Sequence, residues 1–105
     1  MTILGATPPS MVEPCTTVHL SGEIDIFTSK ALRTRLMDEL DRSREFLVLD
    51  VSGLAFGDVS GLAVLVGVQR RARSMGITVV LTAPSPRMST MLRMTGLGRG
   101  FSIEG

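Results

Sequence analysis

The sequence predicts an α/β fold in which a small mixed sheet of about four or five strands is covered by helices. Short apolar runs of strand length alternate with longer segments whose apolar residues recur at helical spacing. The resulting order of elements is β-β-α-β-α-β-α-β. Because neighbouring parallel strands need a crossover connection, usually a helix, this order favours helices packed against a mixed sheet.

Length and composition favour one folded domain. The chain has 105 residues, 44% of them hydrophobic and 20% charged, which is typical of a domain that buries its own core. We therefore expect residues 1–105 to form a single domain. Within residues 1–15 we expect a short strand followed by a loose loop that contains proline.

The N-terminal part of the chain contains two predicted strands. Residues 2–4 form the first, and residues 5–14 hold three prolines, which indicates a loose connection. Residues 16–21 alternate polar and apolar side chains, so Val18 and Leu20 should face a core while His19 points the other way.

A long amphipathic helix is predicted next, from about Thr28 to Arg44. Its apolar residues recur at helical spacing, and its charged residues should form a solvated face. The apolar stripe consists of Ala31, Leu32, Leu36, Met37 and Leu40. The charged face consists of Lys30, Arg33, Arg35, Asp38, Glu39, Asp41 and Arg42.

The central strand and a second helix follow. Residues 46–51 are a continuous apolar run, which predicts a strand at the sheet centre that is covered on both faces. Residues 52–57 then connect to a helix from about Ser60 to Met75, whose first half is apolar nearly all round. Arginines near its end and Gly76 beyond it are ordinary stop signals, so Arg70, Arg71 and Arg73 need no other role.

The C-terminal part contains a strand over residues 77–82, a short helix and a last strand over residues 101–103. Ser85 suits the N-cap of that helix and Pro86 its first position, while Gly96 should end it after about Thr95. Methionine and leucine side chains along the helix are expected to fill the core, ahead of a role in partner binding. They are Met88, Met91, Leu92 and Met94.

Composition argues against nucleic acid as a direct partner. Eleven basic and ten acidic residues leave a net charge of +1, which is too little for a footprint on a phosphate backbone. The chain has four Phe and neither Trp nor Tyr, and this scarcity of aromatic rings also counts against a platform on which bases stack.

The expected location is the cytoplasm. Cys15 is the only cysteine, so no internal disulfide can form and a reducing compartment is natural. No apolar run reaches the roughly 18 residues of a membrane span, and the N-terminus lacks the order of a signal peptide. We expect no contact with a membrane.

Enzymatic and metal sites are poorly supported by the sequence. Cys15 and His19 lie four apart on a strand, but no third member completes a nucleophilic site or a closed metal site. Ser60 lacks the G-x-S-x-G context of a hydrolase nucleophile, and His19 precedes it on a strand. Asp50 could suggest a phosphate-accepting aspartate, yet only the isolated Glu23 and Asp25 are available to hold Mg²⁺.

Nucleotide-binding loops are also missing. No phosphate-binding P-loop pattern occurs, and the glycines of residues 96–100 lack the strand-to-helix context of a dinucleotide fingerprint. We therefore predict no catalytic residue, no cofactor and no metal.

The most informative stretch is Asp58-Val59-Ser60-Gly61-Leu62. A serine directly before an apolar helix is placed to cap it. The same position also suits a phosphoserine, because phosphate oxygens there would meet the positive end of the helix dipole and unpaired N–H groups. Such a phosphate would bring about −1.5 to −2 charges close to Asp58 and to Asp25, and would repel a partner built for the neutral loop.

Four short stretches in this order resemble the STAS domain, and within it the anti-sigma factor antagonists of bacterial partner-switching pathways. They are residues 20–25 (LSGEID), 49–54 (LDVSGL), 58–62 (DVSGL) and 94–97 (MTGL), and the resemblance spans residues 18–103. The resemblance implies a mixed sheet backed by helices.

The resemblance also implies a function without catalysis. An unphosphorylated antagonist binds an anti-sigma factor that is also a serine kinase, and this releases a sigma factor. The kinase would phosphorylate Ser60, which matches the family's acceptor, and a serine phosphatase would restore it. The implied partner-binding residues are Asp25, Asp58, Val59, Ser60, Gly61 and Leu62.

Two alternatives remain open. The first is a STAS module that is not phosphorylated and serves as a structural subunit of a signalling or lipid-transport assembly. The second is a small enzyme or nucleotide-binding domain of similar sheet architecture, because a fold alone does not fix function.

Overall fold

The computed structural model describes residues 2–7, 15–56 and 60–104, which form five strands, three α-helices and one short 3-10 helix. Their order along the chain is the predicted one. The strands are β1 Thr2–Thr7, β2 Cys15–Ile24, β3 Phe46–Phe56, β4 Thr78–Thr82 and β5 Ser102–Glu104. The α-helices are α1 Ser29–Arg42, α2 Ser60–Ser74 and α3 Pro86–Thr95, and the 3-10 helix is Leu97–Gly100.

The five strands form one mixed sheet in the order β1-β2-β3-β4-β5. β1 pairs with β2 in antiparallel orientation, and the other neighbours are parallel. The helices α1, α2 and α3 each connect two adjacent parallel strands, as parallel pairing requires. The predicted mixed sheet and the central position of β3 are confirmed.

Pairing between strands makes β1 and β3 longer than their sequences indicate. The strand predicted over residues 2–4 continues to Thr7, because Thr7 pairs with Thr17 of β2. Residues 52–56 were expected in a connection, but they continue β3 because they pair with the end of β2. The rest of the predicted N-terminal loop, residues 8–14, lies outside the described residues.

A bulge in β3 keeps its apolar side chains on the core face. The register between β2 and β3 shifts between His19 and Ser21, so that β3 carries one extra residue. The strands approach closely there, since a methyl group added at Gly53 would lie 3.1 Å from the Ser21 Cβ atom. Val51 before the bulge and Leu54 after it are both buried.

The core lies on one face of the sheet. Leu47, Leu49 and Val51 of β3 are fully buried, whereas Val48 and Asp50 on the opposite face are only half-buried. The prediction that the central strand is covered on both faces is therefore wrong. The core side chains on the neighbouring strands and the helices include Val18, Leu20, Leu36, Leu40, Leu65, Val68, Val79, Leu81 and Leu92.

Helix α1 departs from its predicted pattern at two positions. Ala31 is exposed although it belongs to the predicted apolar stripe. Glu39, expected on the solvated face, is 1% exposed, and the Arg35 Nη2 atom lies 3.1 Å from its Oε1. Helical spacing puts Glu39 beside Leu36 and Leu40, and the ion pair offsets part of the cost of burying its charge.

Helix α3 has the predicted boundaries. The Ser85 hydroxyl accepts a hydrogen bond from the Met88 backbone N–H at 3.1 Å, and Gly96 ends the helix with a left-handed φ of 72°. Met88 and Leu92 are buried in the core and Met91 packs against it. Met94 is 79% exposed, so its predicted role as core filler is wrong.

Substitutions at adjacent residues of β3 test the one-sided core. We expect Leu49→Ala to lower the free energy of unfolding by about 2–5 kcal/mol, because it leaves a cavity among fully buried side chains. Val48→Ala, on the opposite face of the same strand, should cost less than about 1.5 kcal/mol. Urea unfolding measures both. Equal losses of unfolding free energy in Leu49→Ala and Val48→Ala would show that both faces of the sheet are packed.

Candidate functional site

The candidate site lies where β2 and β3 end, at the carboxyl edge of the parallel strands. Ile24 pairs with Phe56, so β2 and β3 end at neighbouring positions of the sheet. Ser60 is the first residue of α2 and is half-buried. The fold therefore brings Asp25 and Ser60 to the same edge of the sheet.

Asp25 organises the turn between β2 and α1. Its Oδ1 atom accepts hydrogen bonds from the backbone N–H groups of Phe27 at 2.8 Å and Thr28 at 3.1 Å. In return the Thr28 hydroxyl accepts from the Asp25 N–H at 3.0 Å. This reciprocal pair resembles a capping box, and it explains why the chain turns directly from strand into helix.

The other predicted site residues divide into two groups. Asp58 and Val59 lie outside the described residues. Gly61 and Leu62 follow Ser60 and are buried, and Leu62 packs within the hydrophobic core. In this arrangement Leu62 fixes the first turn of α2 against the sheet, and so holds Ser60 at the surface of the core.

Two exposed apolar side chains stand beside Asp25. Ile26 is 64% exposed and Phe27 is 86% exposed. Phe27 also lines a shallow groove along α1 together with Lys30 and Thr34. The sequence contains a sign of this feature, since two large apolar residues fall in a turn where neither strand nor helix periodicity applies.

His19 and Asp50 form a second polar group on the face of the sheet opposite the core. They are paired in the register of β2 and β3, and the His19 Nδ1 atom lies 2.9 Å from the Asp50 Oδ2 atom. The other Asp50 oxygen accepts a hydrogen bond from the Ser52 N–H at 3.0 Å. Bonds from the Ser52 backbone and hydroxyl, followed by the bond to His19, lower the pKa of Asp50.

This pairing changes the interpretation of Asp50. The idea of a phosphate-accepting aspartate requires a carboxylate at the end of the strand, whereas β3 continues six residues beyond Asp50 to Phe56. Within residues 15–56 and 60–104, no group of three His, Cys, Asp or Glu side chains could hold a metal ion. No signal in the sequence pairs His19 with Asp50, because their contact depends on the register of two distant strands.

The fold and the site geometry define a class of protein. The STAS domain model matches residues 10–104, and the chain belongs to the STAS domain family. The predicted family is thereby confirmed.

Relatives within that family are named as anti-sigma factor antagonists. The chain is 33% identical to the anti-sigma F factor antagonist of Paenibacillus polymyxa over 81 residues, covering 76% of this chain and 69% of the relative. It is 27% identical to an anti-sigma factor antagonist from Mycobacterium paratuberculosis of known crystal structure, with a TM-score of 0.72 over 98% of this chain and 86% of that one.

A second similar structure is that of the antagonist SpoIIAA. The unphosphorylated form aligns with a TM-score of 0.71 at 19% identity, over 94% of this chain and 87% of that one. The phosphorylated form of the Bacillus protein aligns with a TM-score of 0.67 at 20% identity, over 94% and 90%. At these identities the similarity shows the shared fold. Among the described helices, none is long and apolar enough to cross a membrane.

The lowered pKa of Asp50 gives a testable dependence of stability on pH. A carboxyl group whose pKa falls on folding adds stability above its unfolded pKa, and loses it as the pH drops through the folded value. We expect Asp50→Asn to lower the free energy of unfolding by about 1 kcal/mol at pH 7, because the group is partly exposed. The difference in free energy of unfolding between Asp50→Asn and the wild type should become smaller below about pH 4.

Urea unfolding at neutral and acidic pH measures this effect. Asp41→Asn is the matched control, since Asp41 is exposed on α1 and takes part in none of the ion pairs among the described residues. It should change stability by less than about 0.5 kcal/mol at either pH. A deficit for Asp50→Asn that stays constant with pH would contradict the assigned role of the charge.

Proposed function

We propose that this chain is an anti-sigma factor antagonist, a binding protein rather than an enzyme. In its unphosphorylated form it binds an anti-sigma factor that is also a serine kinase, and this releases the sigma factor. Similarity to the Paenibacillus polymyxa antagonist supports the role, because that relative is matched over most of its length. The proposed place of action is the cytoplasm, where ATP is available to the kinase.

The observation that carries the proposal is the position of Ser60 at the start of α2. Ser60 begins a helix of 15 residues, and N–H groups at a helix start can bind phosphate oxygens. A phosphorylated Ser60 can therefore be accommodated while the domain stays folded. A serine phosphatase would return the protein to its binding state.

The switch works through charge at the partner-binding surface. A phosphate on Ser60 adds about −1.5 to −2 charges at the edge that already carries Asp25. A partner surface that fits the neutral Ser60 hydroxyl would then be repelled by the phosphate charge and would lose its close contact with Ser60. We propose that Asp25, Asp58, Val59 and Ser60 contact the partner. Gly61 and Leu62 would hold these residues in position.

The exposed Phe27 belongs to the same surface. A large ring that is 86% exposed and adjacent to Asp25 is suited to fill a pocket on a partner. Polar contacts around Ser60 would make binding depend on phosphorylation, and the Phe27 ring would contribute much of the affinity.

Mass spectrometry after incubation with the cognate kinase and ATP tests the modification. We expect one added phosphate on the wild-type chain and none on Ser60→Ala. Ser85→Ala is the matched control, because Ser85 also stands at a helix start and its hydroxyl caps α3. Phosphorylation of Ser60→Ala to the wild-type extent would refute the site, and loss of phosphorylation in Ser85→Ala would show that a general change in the fold is responsible.

Titration calorimetry with the anti-sigma factor tests the binding surface. Ser60→Asp should weaken binding at least about tenfold because it adds a like charge among the proposed contact residues, and Phe27→Ala should weaken it by a similar factor. Phe46→Ala is the control, since Phe46 is a partly exposed ring at the opposite end of β3. A stable complex that is unaffected by Ser60→Asp would instead favour the role of a structural subunit.

A further inference from the structure

Charge is distributed very unevenly along this chain. Residues 60–103 contain six arginines and neither Asp nor Glu, although the whole chain has a net charge of only +1. The ion pairs found among the described residues include none of these arginines. All six are exposed, namely Arg70, Arg71, Arg73, Arg87, Arg93 and Arg99. A role in ending α2 explains at most Arg70, Arg71 and Arg73. The other three arginines lie elsewhere in the fold.

The fold gathers three of these arginines around the 3-10 helix Leu97–Gly100. Arg99 and Arg93 line one groove of about 470 Å³, and Arg99 and Arg73 line a second cavity of about 340 Å³. Arg99 lines both, so the two cavities lie side by side, and together they are called the basic groove below. The Gln69 side chain of α2 lies against Gly100 in the wall of this groove, since a methyl group added at Gly100 would lie 2.6 Å from its amide.

The floor of this basic groove is apolar. Leu92 and Ile103 line it together with the backbone of Gly98, and Ile103 is exposed at the edge strand β5. Met94 and Leu97, on the adjoining turn of the chain, are also exposed. The groove is therefore lined by apolar side chains as well as by arginines.

We propose that the basic groove binds an acidic segment of a partner protein, with carboxylates on Arg93 and Arg99 and an apolar side chain on Leu92 and Ile103. Guanidinium groups bind carboxylates through two parallel hydrogen bonds, and the groove arginines take part in none of the ion pairs found among the described residues. The groove residues include no aromatic ring on which a nucleic-acid base could stack.

This groove is separate from the Ser60 surface. Ser60 lies at the carboxyl edge of β2 and β3, while residues 93–101 precede β5 and lie at its amino end. The basic groove would therefore serve a second interaction, which does not depend on the phosphorylation of Ser60.

Fluorescence anisotropy with a labelled synthetic peptide, in which glutamate and leucine recur at helical spacing, tests the proposal. We expect saturable binding that weakens with added salt, and no binding of the matched peptide with glutamine in place of glutamate. Arg93→Ala/Arg99→Ala should weaken binding about tenfold. Lys30→Ala/Arg33→Ala removes the same charge from exposed positions on α1 and should change affinity by less than about twofold.

Three results would overturn the proposal. They are the absence of peptide binding, an equal loss in both double variants, or tighter binding of phosphatidylglycerol vesicles or a single-stranded oligonucleotide that is lost in Arg93→Ala/Arg99→Ala. Neither Ser60 nor a kinase takes part in this assay. Its outcome is therefore independent of the outcome for the phosphorylation site.

Discussion

The continuous pairing of β2 with β3 is the constraint on which the rest of this molecule depends. The two strands pair from Cys15↔Phe46 to Ile24↔Phe56 with one shift of register at the bulge, whereas the pairing of β3 with β4 ends at Asp50↔Thr82. β2 and β3 therefore project beyond their neighbour. The projecting ends lead into α1 and α2, and this places Asp25 and Ser60 at the same edge of the sheet.

The same pairing explains why one face of the sheet is apolar and the other is more polar. Because the bulge near Gly53 resets the alternation in β3, apolar residues before and after it face the helices. The opposite face carries polar residues, and His19 and Asp50 form a hydrogen-bonded pair there between β2 and β3. A helix packed on that face would have to bury this pair, at a cost in desolvation that an exposed position avoids.

Local signals explain which parts of the fold could be predicted. The cap at Ser85, the left-handed Gly96 and the leucines of α1 are determined by residues close in sequence, and the structure confirms each of them. The extension of β3, the burial of Glu39 and the contact of His19 with Asp50 depend on partners far along the chain. At the site, position in the sequence indicated Ser60, but the exposure of Phe27 follows from the turn that Asp25 holds.

Helix α2 relates the two proposed surfaces. With 15 residues it is about 22 Å long, and it has Ser60 near its start and Arg73 near its end. That separation is more than twice the roughly 8 Å over which charges act through physiological salt solution. A phosphate on Ser60 would therefore change the first surface by direct repulsion while leaving the arginines of the basic groove almost unaffected. Two partners could then bind one small domain together, with only one of them sensitive to phosphorylation.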